Sequence, residues 1–501
     1  MGFEIASSSR PRVVTPRKDT LNMNPFKITT HQLYIFQLEN YEFSRFAARM
    51  SEGLWRPRQA PRKSLVWTPK AVALFVLAVF FEFLAAGLAA TSVLNGAAAW
   101  VLFAVLAVLL AYGFWLFLLA AAVFLWPLDF ALKQMVIGRA AAKLRALSNI
   151  RVVGVAGSYG KTTFKNIAAT ILGESFKTVM TPDSVNTPVG IARWILRDVA
   201  PEAEVLVVEF GEYYRGDIQK LCRLIPPDIS VITGVNEAHL ERLGNLETTA
   251  STVFEAAVYA KPQAVIVVNG ADELAARFAP GSAGGRRTLF YGIGKAETAW
   301  QVGNLEFMQD GSGWGFDLSY EGKSLGRFRV PFLGEYALSD LIGTALIADE
   351  LGGKPEGVVR GVAKLKTVEH RLQVLPSENK ILVIDDSYNG NPSGAAEAVK
   401  VLGRFLGRRR IYVTPGLVEM GKNSAAVHET LGRTLAKTAD LVLLVRNSAT
   451  PHIASGLLAA SFPESHLRWF ASAAELFAGV KTLARPGDVV LFQNDWPDNY
   501  L

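Results

Sequence analysis

One cysteine, Cys222, in 501 residues leaves no internal disulfide to form and fits a reducing compartment. Charge is scarce too. Only 19% of residues are Asp, Glu, Lys or Arg against 50% hydrophobic, lean for a soluble enzyme and pointing to a membrane part. No stretch interleaves basic and aromatic residues as a nucleic-acid module would, so no nucleic-acid partner is expected. The net charge of +7 is therefore read by its position. The basic excess lies before residue 70 and over residues 133–145, flanking an apolar region, and is assigned to an anionic membrane surface. The length exceeds one ordinary core, so two or three domains are expected.

Inside the apolar region charge all but vanishes. Residues 71–94 hold only Glu82, and residues 97–130 none before Asp129. Each run exceeds the roughly 20 apolar residues that cross a bilayer. The reading is a transmembrane helical hairpin over 71–130, too far from Met1 and too nearly double to be a cleaved signal peptide. Arg45, Arg49, Arg56, Arg58, Arg62, Lys63 and Lys70 precede it; Lys133, Arg139, Lys143 and Arg145 follow it. The linker near Thr91–Ala97 has no charge. Positive flanks stay inside, which implies the inner (cytoplasmic) membrane, with everything after residue 131 facing the cytoplasm. Glu82 is either a functional polar contact or a pair within the hairpin. Residues 1–70 form a cytoplasmic segment, its first 25 residues read as disordered. Residues 32–50 (QLYIFQLENYEFSRFAARM) read as an amphipathic helix on the membrane or the catalytic part.

Residues 151–163, RVVGVAGSYGKTT, read as strand, glycine turn, Lys-Thr and helix. Backbone N–H groups of such a turn and the helix N-terminus bind phosphate. Lys161 would reach the β- and γ-phosphates and the Thr162 hydroxyl would ligate Mg²⁺. The general pattern wants glycine at position 155, where valine stands; Gly154, Gly157 and Gly160 are present. On this loop alone a kinase, a GTPase and a transporter ATPase stay open.

Further segments narrow the choice. GSYGKTT (157–163) resembles the G-[TS]-x-G-K-[TS]-[TS] loop of the Mur ligase family, the ATP-dependent amide ligases of peptidoglycan precursor synthesis. SVNTPVGIARWIL (184–196), EVLVVEFGEYYRGDI (204–218) and DISVITGVNEAHLERLGNLE (228–247) resemble its next segments in order. EHRLQVL (369–375), ILVIDDSYNGNPSGAAEAVKVL (381–402) and YVTPGLVEMGKNSAAVHETLG (412–432) resemble its D-alanyl-D-alanine-adding branch. The resemblance covers about residues 146–495.

In such ligases a carboxylate takes the γ-phosphoryl group of ATP and an amine displaces phosphate to leave an amide. Negative charge moves in both steps, so cationic and metal clamps carry the catalysis. The resemblance implies ATP and Mg²⁺ as cofactors. Lys161, His239 and Arg371 take catalytic roles. Gly157, Ser158, Tyr159, Gly160, Lys161, Thr162, Thr163, Asp340, Arg371 and Asp386 hold nucleotide, and Thr162, Glu209 and His239 the metal. Asn186, Thr187, Tyr388, Asn389 and Asn391 are substrate candidates. Glu419 and His428 lie in the same resemblance with structural roles as open as functional ones.

Three departures stand out. The family's carbamylated lysine, a ligand of the second metal, falls at Val253, with Glu255 kept nearby. The adenine-side helix reads GEYALSDLIGTALIADELG (334–352), with Asp340 where an asparagine is expected. The hairpin stands where the family has a UDP-binding domain, which points to a lipid-linked or anionic cell-envelope precursor as acceptor, with an amino acid or dipeptide as amine.

The expected fold is α/β. A P-loop central domain (146–348) and a Rossmann-like C-terminal domain (349–501) hold ATP between them behind the hairpin. Alternation around glycines over 300–336 reads as β-hairpins. The function expected is a membrane-anchored amide ligase of Mur type. A poly-γ-glutamate-type synthetase and a degenerate nucleotide-binding membrane scaffold are the alternatives.

Overall fold

The computed structural model describes residues 24–55, 64–94, 96–147, 149–236, 243–294, 298–377, 380–388, 390–418 and 420–495. The chain divides into two compact units, the first ending at Gln134 and the second running from Met135 to Trp496.

The first unit is helical. The amphipathic helix expected over 32–50 is instead two helices, Pro25–Leu38 and Phe43–Arg49. They part where Asn40 and Tyr41 take φ of 55° and 60°. The reason lies in the run Leu33, Tyr34, Ile35 and Phe36, all buried. Four consecutive apolar side chains point all round a helix, so the segment packs into a core with Phe46, Leu74, Phe114 and Leu118. The disorder expected at the start of the chain falls on residues that, up to residue 23, lie outside the described ones.

Thr68 caps the helix Pro69–Val93, its side chain accepting from the Ala71 N–H, with proline at the first helical position. The same pairing of a capping side chain and proline opens helices at Asn24, Thr187 and Asn391. The second expected span is not one helix. Residues 97–130 break into the helix Ala97–Leu110, a 3-10 turn at Ala111–Gly113, and the start of a helix that runs from Phe114 to Ala146. The buried Gln32 amide donates to the Tyr112 carbonyl at 3.1 Å, replacing a helical partner at the break. The helices Pro69–Val93 and Phe114–Ala146 are long and apolar enough to cross a membrane; Ala97–Leu110, at about 1.5 Å per residue, is too short.

The second unit holds three sheets. The strands β1 (Arg151–Ala156), β2 (Thr178–Met180), β3 (Val205–Glu209), β4 (Ile229–Ile232), β5 (Val265–Asn269) and β6 (Thr288–Tyr291) form one parallel sheet in the order β2-β3-β1-β4-β5-β6. Their runs of Val, Ile and Leu serve two cores at once. Val153, Val155, Val207 and Val231 face one; Leu206, Val208, Ile232 and Ile266 face the other. Such continuous apolar strands are what a parallel sheet covered on both faces requires. After β1 the chain fills one side with β2 and β3, then crosses to β4. The order therefore reverses beside the carboxyl end of β1, where open α/β sheets bind ligands.

The strands β7 (Trp300–Met308), β8 (Gly313–Tyr320) and β9 (Lys323–Val330) form an antiparallel meander, as the alternating pattern predicts. The third sheet has β10 (Gln373–Leu375), β11 (Leu382–Asp386), β12 (Arg410–Thr414), β13 (Leu441–Val445), β14 (Leu467–Phe470) and β15 (Val489–Gln493) in the order β10-β11-β15-β12-β13-β14. Only β10 pairs antiparallel. The meander clasps this domain after the helix Pro392–Gly403. The Arg404 guanidinium pairs with Glu335 and lies 4.6 Å over the Trp314 ring. The Gln309 side chain donates to the Arg404 carbonyl at 2.9 Å and accepts from the Leu406 N–H at 3.0 Å.

Candidate active site

The loop after β1 is pinned from both sides. Gly157 has φ of +146°, and a Cβ there would lie 2.1 Å from Thr233 Oγ1. The Ser158 N–H donates to the Gly234 carbonyl at 2.9 Å, and the Thr233 hydroxyl to the Tyr159 carbonyl. The Tyr159 ring covers Gly234, where a Cβ would come 2.4 Å from ring Cζ. Its hydroxyl donates to Asp272 Oδ2 at 2.5 Å. Asp272 also caps the helix Glu273–Ser282, Oδ1 accepting from Ala275 N–H at 2.7 Å. Burial and that carboxylate push the Tyr159 phenol well above its ordinary range, so it stays a donor. Gly160, at φ +78°, turns the chain into the helix Lys161–Leu172, whose first N–H groups have no helical acceptor and suit an anion.

Two carboxylates close the other side. Glu209 ends β3 and is 2% exposed. Its Oε1 accepts from Asn186 Nδ2 at 3.2 Å, its Oε2 from Thr162 Oγ1 at 3.1 Å. Lys165 Nζ lies 3.2 Å from the same Oε2 and donates to the Asp183 carbonyl. Three residues on, Glu212 is ion-paired with Lys161, Oε1 to Nζ 2.6 Å. Consecutive residues of the loop, Lys161 and Thr162, thus each rest on one carboxylate at the end of β3. Lys165, Glu212, Thr233 and Asp272 were missed as site residues by sequence reasoning. The signal for Lys165 was its place four residues after Lys161, on the same helix face.

On the C-terminal domain Arg371 donates from Nη1 to the Tyr388 carbonyl at 2.8 Å, its guanidinium 4.8 Å from the centre of the Tyr388 ring. Tyr388 is 42% exposed. His370 Nδ1 lies 2.6 Å from Asp385 Oδ2, and His370 and Leu372 both have positive φ, 59° and 45°. Asp386 accepts the Leu372 N–H at 3.2 Å. Burial raises its carboxyl to about 7 against the pull of Arg371. A carboxyl whose folded pKa lies above its unfolded value of about 4 binds its proton more tightly in the folded state. Stability from this group is therefore complete below about pH 4 and lost as pH rises to about 7. Asp386→Asn is expected to flatten the fall in melting temperature between pH 4 and 7 and to melt higher than wild type at pH 8, measured by calorimetry.

Other candidates have structural work. Thr187 caps the helix Pro188–Asp198 through the Gly190 N–H. Asn391 caps Pro392–Gly403 and accepts from Asn236 Nδ2 at 2.9 Å, joining the two nucleotide-side domains. Asp340 is buried in the helix Tyr336–Glu350. Its carboxyl is held well above the usual range by desolvation, with the Tyr291 phenol opposing. His428 is fully buried, Nε2 accepting from Leu417 N–H at 2.9 Å and Nδ1 against the Ser424 carbonyl at 2.6 Å. Burial lowers its pKa, which fits the neutral ring those contacts define. Val253 sits in the sheet's apolar core. Glu255 accepts the Gly216 and Gln219 N–H groups at 2.7 and 3.0 Å, capping the helix Asp217–Leu224. His239, Asn389 and Glu419 lie outside the described residues.

The residues fit a nucleoside triphosphate with Mg²⁺. Gly157 turns the loop close against Thr233, where any Cβ would clash, and Glu212 Oε2 is buried with no hydrogen-bond partner. Among the described residues no three His, Cys, Asp or Glu side chains converge. Mg²⁺ beside a nucleotide needs few protein carboxylates, since phosphate and water supply much of its shell.

Known proteins share this arrangement. The Mur ligase middle domain matches residues 155–348 and the Mur ligase glutamate ligase domain residues 370–493. The UDP-N-acetylmuramoyl-tripeptide–D-alanyl-D-alanine ligase of Bacillus subtilis is 26% identical over 345 residues, 68% of this chain and 72% of that protein. The Escherichia coli enzyme of that name is 29% identical over 341 residues, 66% of this chain and 74% of its own. MurF ligase from Thermotoga maritima, solved in complex with ADP, superposes with a TM-score of 0.64 at 26% identity, covering 72% of this chain and 80% of that one.

Proposed function

The chain belongs to the Mur ligase family as a MurF-like, ATP- and Mg²⁺-dependent acid–amino-acid ligase of peptidoglycan precursor synthesis, and from that we propose that it works anchored in the cytoplasmic membrane. The acceptor is the carboxylate of a lipid-linked or otherwise membrane-associated envelope precursor. The amine is D-alanyl-D-alanine, the group named for its relatives, or another dipeptide or amino acid. The observation that carries the ligase reading is the pairing of Lys161 with Glu212 and of Thr162 with Glu209 at the end of β3.

Mg-ATP, when bound, supplies the phosphoryl group that activates the carboxylate. The chain's own residues do the rest by position and charge. The loop N–H groups and Lys161 would bind and orient the phosphates, and Thr162 and Glu209 would hold the cation. Lys165 neutralises Glu209 and Asn186 fixes its rotamer. Arg371, presented by the other domain, adds positive charge where the γ-phosphoryl group leaves ATP.

Support for the anchor is chemical. The helices Pro69–Val93 and Phe114–Ala146 expose Leu88, Phe124 and Trp126 at 63%, 66% and 57%, side chains whose burial in lipid is favourable. Lys70, Lys133, Arg139 and Lys143 supply the basic flanks. Full-length protein expressed in a bacterium is expected to stay in the membrane pellet after alkaline carbonate washing. In detergent it should release phosphate from Mg-ATP only with both an acceptor and an amine present. Recovery in the soluble fraction would remove the anchor. Acceptor-dependent release with a soluble UDP-linked peptide alone would remove the lipid-linked acceptor.

A further inference from the structure

We infer that Glu212 is a second carboxylate ligand for the divalent cation that accompanies the nucleotide, masked by Lys161 until the phosphates arrive. The inference rests on reading the loop after β1 as an ATP site. Glu209 is the more encumbered of the two carboxylates, since Asn186, Thr162 and Lys165 occupy both its oxygens. Glu212 has one oxygen on Lys161 Nζ and the other, Oε2, buried with no hydrogen-bond partner. Its side chain is 1% exposed, and a carboxylate that far from water is retained only against a cation. An unpaired, buried acceptor oxygen is a group awaiting a partner.

Binding of a polyphosphate sharpens that need. Lys161 opens the helix that follows the loop, and the phosphates would draw it away from Glu212. The carboxylate would then stand bare in a dry site beside further negative charge, the costliest arrangement possible there. A divalent cation arriving with the nucleotide resolves both repulsions, bridging Glu212 and phosphate oxygen. Lys161 thus holds the ligand in place and would give it up to the metal.

The test uses full-length protein in detergent, Mn²⁺ as the probe and a non-hydrolysable ATP analogue. Electron paramagnetic resonance of free Mn²⁺ gives its Kd for the protein–analogue complex, and titration calorimetry in EDTA gives analogue binding without metal. Glu212→Gln is expected to weaken Mn²⁺ at least tenfold while binding the analogue in EDTA as tightly as wild type or tighter, because Lys161 then keeps only the Gly157 carbonyl as a partner. Glu212→Asp, which keeps the charge and withdraws it by one methylene, should weaken Mn²⁺ less, and it serves in place of Glu212→Gln if that variant does not fold. Mn²⁺ affinity within twofold of wild type in the variant would leave Glu212 as the counter-ion of Lys161 alone and overturn the inference. Wild type that fails to bind the analogue in EDTA and with Mn²⁺ would instead overturn the nucleotide reading itself.

Discussion

Lys161→Ala is expected to lower acceptor-dependent phosphate release by at least about 10³-fold, the scale on which losing a preorganised charge at a transferring phosphoryl group acts. The same change should destabilise the fold. Glu212 would lose its ion pair at 2.6 Å, and breaking a fully buried pair from one side costs about 3–5 kcal/mol. The figure here should lie lower, since Lys161 retains 13% exposure. The double variant Lys161→Ala/Glu212→Gln removes the bare charge and is expected to recover most of the melting temperature while staying inactive. Calorimetry and a phosphate-release assay on the three proteins separate the two effects. Recovery of activity in the double variant would show that Lys161 serves only to neutralise Glu212.

Arg371→Ala is expected to cost about 10²–10³-fold in kcat with nucleotide affinity within about twofold of wild type. The guanidinium lies on the C-terminal domain against Tyr388, while the loop that cradles phosphate belongs to the central sheet. A group that arrives from a second domain contributes to the transition state more than to the resting complex. Arg371→Lys should rescue little, because an ammonium neither stacks on the Tyr388 ring nor presents a planar fork to phosphate oxygens. Single-turnover kinetics beside equilibrium binding of the analogue would check it. A matching loss in affinity would mean that Arg371 already sits on the nucleotide before closure.

The parts of this fold legible beforehand were those that local pattern controls. The apolar run 151–156 had to be a doubly covered strand, and the Gly-Lys-Thr turn after it had to open a helix. The alternation over 300–336 reads directly as the meander. What stayed hidden depends on partners far away in sequence. Glu212 looked like one more charge in a loop, because its importance comes from facing Lys161, 51 residues distant. Tyr159 meeting Asp272 is of the same kind. The break at Ala111–Gly113 was invisible because hydropathy runs straight through it, and the Gln32 amide that accepts the cost comes from the first helix. Residues 32–50 misled for the converse reason: a 3.6-residue apolar rhythm says that a helix forms, and not whether one face or all of it is covered. Thr187 and Asn391, read as substrate candidates, stand just before proline, and there their short polar side chains cap helices.

The clasp around Arg404 ties the C-terminal domain to the meander. The guanidinium is trapped between Glu335 and the Trp314 face, and Gln309 grips the backbone on either side of Phe405. The two nucleotide-side domains also meet through the amide pair Asn236–Asn391, through Arg360 and Lys364 on Glu174, and through Leu333 and Tyr336 packed with the C-terminal core. The C-terminal sheet is therefore fastened at several separated points, polar at the rim and aromatic at the clasp, rather than at a single joint.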